Sequence, residues 1–374
     1  MAISYRYERN TMNNLERIRH LMDKKGFESI FFMTNENRVT KNIYYLSGFS
    51  GTDGFLIITM DKVILLVDGR YPEQAREEAT EGVDVELTSR PLVTGLGDTI
   101  KKLGVSNVGL EENVLSHSFY KKLTSELEDI KPMTSDGITE GLRLAKTNEE
   151  IEKIRMACQC SDSAFTATLE HIKQGVVERD ISTELEYQMK RRGASKASFD
   201  IIVASGYRGA MAHGIASEKK LEAGDFVVID FGATINHYNS DCTRTLMIGE
   251  PTDKHKKIYD AVREAQEVAM GHYKPGKKYK DPDIIARDII TKAGYGGNFN
   301  HSLGHGIGLD VHESPTISQL ANDDLLLVEN MVASNEPGIY LEGWGGVRIE
   351  DTVTVKGHGG EPLTRLSKDL MVIE

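Results

Sequence analysis

Asp230, Asp241, His305, Glu336 and Glu350 are four carboxylates and one imidazole, each set in a short apolar or glycine-rich context. The contexts are Val-Val-Ile-Asp230-Phe-Gly, Asn-Ser-Asp241-Cys-Thr-Arg-Thr, Gly-His305-Gly-Ile-Gly, Ser-Asn-Glu336-Pro-Gly and Val-Arg-Ile-Glu350-Asp. A lone charge in such surroundings is costly to desolvate. Taken singly, an acid beside a strand is commonly a cap, a turn or half of an ion pair. Taken together, the five point to a shared cation that removes the cost. Oxygen-rich sets with a single imidazole suit hard or borderline divalent ions such as manganese, and carboxylates able to bridge suit two ions.

Spacing sharpens the reading. Asp230 ends an apolar run and Asp241 follows eleven residues later, a separation suited to neighbouring strands that aim both side chains at one point. The stretch His301-Ser-Leu-Gly-His305-Gly-Ile-Gly-Leu-Asp-Val-His312-Glu313 holds three imidazoles among glycines. Gly304, Gly306 and Gly308 argue for an extended or turning path and against a helix. One imidazole can then bind metal while others donate hydrogen bonds to a developing oxyanion or hold the substrate. Pro337-Gly338 sets a turn directly after Glu336. In Val347-Arg348-Ile349-Glu350, strand alternation puts Arg348 and Glu350 on one face, where the guanidinium offsets surplus negative charge. Four carboxylates balance two divalent ions, so a water held there would ionise near neutral pH.

The elements that must position these groups fall into two patterns. Over 1–140, helix-like and strand-like segments alternate as an α/β unit. A helix is expected over 12–25, through Leu15, Ile18, Leu21 and Met22, with others over 72–79, 93–103 and 116–127. Strands are expected over 29–33, 54–60, 62–68, 83–87 and 108–111, with Asp61-Lys62 as a tight hairpin. Residues 132–144 read as a polar interdomain connection. A Thr147-x-x-Glu150 capping box then opens a helical stripe from Ile151 through Phe165 to Gly175, within a second domain over 141–374. Further helices are expected there over 178–192, 253–272 and 281–293, and strands over 226–231, 245–248, 331–334, 348–355 and 370–373. Helices and hairpins in place of strict βαβ alternation indicate an antiparallel α+β domain.

The 374 residues suffice for two domains, and 39% apolar against 27% charged content is that of a soluble globular protein. No apolar run approaches the roughly 18 residues of a membrane span. Residues 1–8 lack the apolar core of a signal peptide, so a cytoplasmic location is expected. A formal charge of −12 argues against a nucleic-acid partner. Cys158, Cys160 and Cys242 cannot make a disulfide framework, and the Cys-x-Cys pair has no downstream cluster to complete a zinc site. Cys242 adjoins Asp241, a place from which it could sense oxidants or soft metals.

These motifs resemble the aminopeptidase P and prolidase branch of the pita-bread metallopeptidases, a superfamily that also contains methionine aminopeptidase and creatinase. The matching stretches are Ile-Asp230-Phe-Gly, Ser-Asp241-x-Thr-Arg-Thr, His301-x-x-Gly-His305-Gly-x-Gly-x-x-x-His312-Glu, Asn-Glu336-Pro-Gly-Ile-Tyr340 and Gly-Val-Arg348-Ile-Glu350-Asp. Tyr45-Leu-Ser-Gly-Phe-Ser-Gly-Thr-Asp-Gly54 and Asp68-Gly-Arg-Tyr71 resemble the creatinase-like lobe. The resemblance implies a small N-terminal creatinase-like α/β domain over 1–140 and a C-terminal pita-bread α+β catalytic domain over 141–374. It assigns Asp230, Asp241, His305, Glu336 and Glu350 as dinuclear ligands, with Asp241 and Glu350 bridging and Glu336 also shuttling a proton. His213, in Gly209-Ala-Met-Ala-His213-Gly, and His312 become substrate-contacting stabilisers of the tetrahedral intermediate. His301 becomes a substrate-side residue near the prolyl pocket, and Tyr340 and Arg348 become supports for Asp230. The segment Val332-Ala333-Ser334-Asn335 departs from the resemblance in being smaller and more polar than expected.

The expected protein is a cytosolic exopeptidase carrying two divalent ions, manganese first and cobalt or zinc as alternatives. It would act on small peptides at Xaa-Pro bonds, as an aminopeptidase P or a dipeptide-splitting prolidase, without a membrane or nucleic-acid partner. By resemblance alone it would be a homodimer. Creatinase works without metals and lacks the full ligand set, and methionine aminopeptidase lacks the large N-terminal lobe. The alternative of another class is a non-catalytic metal-binding or scaffold protein on the same fold. Such relatives lose ligands, and here all five are present.

Overall fold

The computed structural model describes residues 12–36, 40–88 and 92–374. Residues 1–8, which bear on the leader expectation, lie outside them. The chain divides into two compact units, Met1–Leu142 and Arg143–Glu374. Among the described residues, no helix is long and apolar enough to cross a membrane.

The N-terminal unit contains α1 (Asn14–Lys25), β1 (Ser29–Thr34), α2 (Asn42–Ser47), β2 (Gly54–Thr59), β3 (Val63–Val67), α3 (Pro72–Glu78) and β4 (Asp84–Leu87). It continues with α4 (Leu92–Lys102), β5 (Asn107–Leu110), α5 (His117–Glu126) and β6 (Lys131–Thr134), and closes on α6 (Ile138–Arg143), whose last residue is the first of the C-terminal unit. Its strands form one mixed sheet in the order β4-β3-β2-β1-β5-β6. Strands β1, β2 and β3 are buried at every position, which is why they read as continuous apolar runs. Phe31, Phe55, Ile57, Ile64 and Leu66 meet Leu96, Ile100 and Leu123 on one face; α2 lies against β1 and β2 and packs on α1. An Asn13 capping box and a left-handed Gly26 bound α1, where the apolar stripe begins and ends. The expected irregular connection over 132–144 is instead β6 and α6. Pro132 hid the strand, yet β6 is the outer strand, where proline's missing donor leaves no gap in the ladder.

The C-terminal unit opens on α7 (Asn148–Thr168), started by the Thr147–Glu150 capping box. The helix ends well before Gly175, through a short 3-10 turn over Leu169–His171. Then come α8 (Glu178–Arg191), β7 (Lys196–Ala197), β8 (Ile202–Ser205), β9 (Phe226–Phe231), β10 (Ala233–Ile235), β11 (Tyr238–Asn239) and β12 (Cys242–Ile248). Next are α9 (Asp253–Met270), α10 (Lys280–Lys292), β13 (Gly304–Gly306), β14 (Glu313–Ile317), β15 (Val332–Asn335) and β16 (Gly338–Leu341). The chain closes with β17 (Gly345–Arg348), β18 (Asp351–Lys356), β19 (Gly359–Pro362) and β20 (Met371–Ile373). Two larger sheets run β20-β12-β9-β8 and β14-β13-β15-β18-β19, with smaller ones from β11-β10-β7 and β16-β17. Apart from β12–β20, the pairings in this unit are antiparallel.

Strand alternation divides the core. Val227, Ile229 and Phe231 face the side chains of α7 and α8, with Phe231 stacked on Phe165 at 4.9 Å. Each such burial stabilises the fold by about 1.5–3 kcal/mol. A second apolar cluster joins α9 and α10 to Ala333, Val347, Val353 and Val355. The strand expected over 348–355 is in fact two: β17 ends at Arg348, and β18 starts at Asp351 in a different sheet.

Asp162 on α7 is a buried acid whose Oδ2 accepts from the Arg365 N–H while Oδ1 has no partner. Burial pushes its carboxyl up to about 6 from an ordinary 3.8. A folded-state pKa above the unfolded value means that the folded protein holds this proton more tightly. Stability therefore falls as pH rises from about 4 to 6, by at most about 3 kcal/mol. Thermal melts of the parent and Asp162→Asn across that window should show a slope in the parent that the variant loses; equal slopes would refute the assignment.

Candidate metal centre

Asp230 lies on β9 between Ile229 and Phe231, so alternation turns it to the face opposite their core. Strand β12 pairs with β9 in the register Asp230↔Thr243 and Phe231↔Cys242, which brings Asp241 to the same end of the pair. The connecting excursion through β10 and β11 turns on Asn236 and His237, both left-handed (φ 49° and 69°). His305 comes from β13, which lies between β14 and β15. Gly304 is required there, since a Cβ would stand 2.2 Å from the Ser334 carbonyl oxygen of β15. Glu336 follows β15 directly, and Glu350 occupies the break between β17 and β18.

These elements bring Asp241, His305, Glu336 and Glu350 together, while Asp230 pairs with Arg348 on the adjoining strand. Asp241, His305 and Glu350 each offer a ligand atom within 4.8 Å of the others. His305 Nε2 lies 3.2 Å from Glu336 Oε1 and 3.6 Å from Asp241 Oδ2. His305 Nδ1 is 3.2 Å from the Gly306 carbonyl, to which it donates, and this leaves Nε2 turned toward the carboxylates. Arg348 Nη2 donates to Asp230 Oδ2 at 2.7 Å, and Thr243 Oγ1 donates to Glu350 Oε2 at 2.7 Å. The opposite oxygens, Asp230 Oδ1, Asp241 Oδ1 and Glu350 Oε1, are buried and have no hydrogen-bond partner among the described residues. Unmet carboxylate oxygens converging beside one imidazole fit a divalent cation.

The electrostatics agree. Burial, then the charges of Glu350, Asp230 and Glu336, push the Asp241 carboxyl well above the usual range. Burial, followed by Glu336 and Asp230, does the same to Glu350. For Glu336, burial acts upward but is outweighed by the His305 hydrogen bond and the charges of His305, His301 and Arg348, which hold it at about 2.

The remaining histidines surround this group. His312 packs its ring 4.1 Å from that of His305, and burial followed by the His305 charge lowers its pKa. His301 Nε2 meets Tyr340 Oη at 2.9 Å, and its Nδ1 meets the Ser302 carbonyl at 2.8 Å. Arg348 already donates to Tyr340 Oη, so the hydroxyl donates to Nε2 and His301 is the Nδ1–H tautomer. Tyr340 thus reaches Asp230 only through Arg348. His213 is exposed on the loop after the 3-10 turn Gly206–Ala210, and its charge reaches His312. That loop is anchored by fully buried Glu178, which accepts from the backbone and hydroxyl of both Ser205 and Ser217 and pairs with Arg208.

Sequence reasoning missed Thr243, Ser334, Glu178 and Arg244. Ser334 Oγ accepts from the His305 N–H and donates to Glu336 Oε1, both at 2.9 Å, so the unexpectedly polar residue before Glu336 has a task. Alternation from Asp241 along β12 would have found Thr243. Nothing in the local sequence marks Glu178. Cys242 corrects an expectation: it points into the apolar core, its Sγ donates to the Glu350 carbonyl, and burial pushes its thiol well up. One residue of alternation turns it away from the site, so it is no sensor there.

Residues 152–357 match the model of metallopeptidase family M24, and residues 14–145 match the creatinase/prolidase N-terminal domain. An Xaa-Pro dipeptidase of Pyrococcus horikoshii is 41% identical over 359 residues, 96% of this chain and 98% of the relative. The structure of an Xaa-Pro dipeptidase from Bacillus anthracis superimposes with a TM-score of 0.90 at 41% identity, covering 96% of this chain and 99% of the other. An X-Pro aminopeptidase from Thermotoga maritima gives the same score and identity over 97% and 100% of the two chains. Family members of this kind use divalent ions, which the unmet oxygens described above are suited to bind. Its paired domains and near-complete overlap with these peptidases establish that the chain belongs to metallopeptidase family M24.

Proposed function

We propose that this protein is a dinuclear metallo-exopeptidase that hydrolyses the Xaa-Pro bond of dipeptides or of peptide N-termini. The observation carrying the reading is the set of buried, partnerless oxygens on Asp230, Asp241 and Glu350 beside a single imidazole. Asp230, Asp241, His305, Glu336 and Glu350 would hold the ions, with Asp241 and Glu350 bridging. When bound, a divalent pair supplies a Lewis acid and makes water more acidic.

The chain's own groups supply the rest. Glu336, held at about 2, is a carboxylate at working pH. Ser334 donates to its Oε1, and Glu336 would carry a proton from the attacking water to the leaving nitrogen. Neutral His312 keeps an N–H to donate to the carbonyl oxygen as charge develops, and His213 is the second donor. Both ring nitrogens of His301 are engaged, so it would meet the prolyl ring through its carbon edge. Proline has no backbone N–H, so a peptidase that grips that group cannot hold this bond, and a dedicated site is needed.

Manganese is the proposed metal because the donors are mostly oxygen with one nitrogen. A cytoplasmic homodimer is proposed on resemblance, and light scattering of the purified protein returning only a monomer would remove the dimer. Manganese-loaded protein should cleave Gly-Pro and Met-Pro but spare Met-Ala. Cleavage of an Xaa-Pro-Pro tripeptide assigns aminopeptidase P specificity, and cleavage of dipeptides alone assigns prolidase. No cleavage at all would sink the hydrolase reading in favour of a non-catalytic role.

A further inference from the structure

We propose that Arg143 and Lys146 are positioning residues for His312, acting by clamping the neighbouring Glu313. They lie in Arg143-Leu-Ala-Lys146, the first four residues of the C-terminal unit. Arg143 Nη2 lies 2.6 Å from Asp310 Oδ2 and 2.5 Å from Glu313 Oε2, while Lys146 Nζ lies 2.9 Å from Glu313 Oε1. The cationic side chains are only 9% and 2% exposed, so solvent screens these pairs weakly. Glu313 Oε2 also faces the Asp310 N–H at 3.3 Å, so the carboxylate closes the 310–313 corner on itself. Asn239 Nδ2 holds the preceding carbonyls of Gly308 and Leu309. Gly308 leaves room for the arrangement, since a Cβ there would stand 2.5 Å from Glu313 Oε1.

His312 thus sits one residue from an acid whose two oxygens are each fixed by a buried cation. Burying the three charges of Arg143, Lys146 and Glu313 costs several kcal/mol per ion, and apolar side chains would pin the corner more cheaply. The ionic fork adds direction. With both oxygens of Glu313 tied, the backbone of the 310–313 corner is restrained at the residue whose neighbour, His312, packs its ring 4.1 Å from that of His305.

This proposal rests on the reading of His312 as a donor to the reacting carbonyl. Its test compares manganese-loaded parent, Arg143→Met, Arg143→Lys, Lys146→Met and Glu313→Gln for Gly-Pro hydrolysis, bound manganese and amide hydrogen exchange. Arg143→Met, Lys146→Met and Glu313→Gln should each lower kcat/KM by about 10- to 100-fold, mainly through kcat, with bound manganese unchanged. Arg143→Lys should recover part of the loss, and exchange should quicken over 306–314 alone. Activity within about twofold of the parent in all of them overturns the proposal, as does a loss that tracks loss of manganese. If Arg143→Met fails to fold, Glu313→Gln decides, because it keeps the shape and removes the charge. A parent that cleaves no Xaa-Pro peptide sinks the hydrolase reading instead. The exchange comparison then decides the clamp: local quickening keeps it and unchanged exchange overturns it.

Discussion

Glu336→Gln should reduce kcat for Gly-Pro by at least about 10³-fold while the fold persists. The amide is isosteric, so its oxygen can still accept from Ser334 Oγ at the 2.9 Å now seen for Oε1. It cannot take a proton, which removes the shuttle. Asp241→Ala should be equally inactive for another reason: it deletes a buried oxygen beside Glu350 and His305 that no described protein group meets and that a divalent ion would take. Metal analysis separates the two. Glu336→Gln should keep much of its manganese, whereas Asp241→Ala should lose it. Full activity in either variant, with metal measured, would sink the mechanism.

Removing the divalent ions should lower the thermal midpoint by about 8–16 °C, with recovery on adding manganese. A ligand at about 1,000 times its Kd stabilises by roughly 4 kcal/mol, and a kilocalorie shifts a domain of this size by about 2–4 °C. The physical source is the burial, and after it the mutual repulsion, that push Asp241 and Glu350 above the ordinary carboxylate range. Differential scanning calorimetry before and after exhaustive chelation measures the change. A metal-free protein that melts with the loaded one would mean that the carboxylates tolerate one another without a cation.

Much of this arrangement was legible in the sequence because its residues carry chemistry that their surroundings cannot otherwise satisfy. Asp230 among Val, Ile and Phe needs a partner in any fold. The capping box at Thr147 and the strand 226–231 were equally plain, since cap chemistry and apolar periodicity are local. What escaped was non-local. The break at Ile349–Glu350 depends on two sheets diverging, and no run of residues announces it. Strand β6 escaped because Pro132 reads as a breaker until the strand is known to lie at an edge. Glu178 looked like a surface helix start, and only the fold carries Ser205, Arg208 and Ser217 to it. Arg348 and Glu350 do converge, but through Thr243, which accepts from the guanidinium and donates to the carboxylate, and not through one continuous strand.

Glu350 is held from behind. Arg244, with no exposed surface, donates to the Glu350 carbonyl and pairs with Asp351, while Cys242 donates to the same carbonyl from the core. A conservative change at either position would pass for a harmless interior replacement and still disturb the acid proposed to face the cation. Natural variants of such a chain would then sort oddly: a lesion in packing would present as weakened metal affinity, and an excess of the divalent ion in the growth medium would hide it.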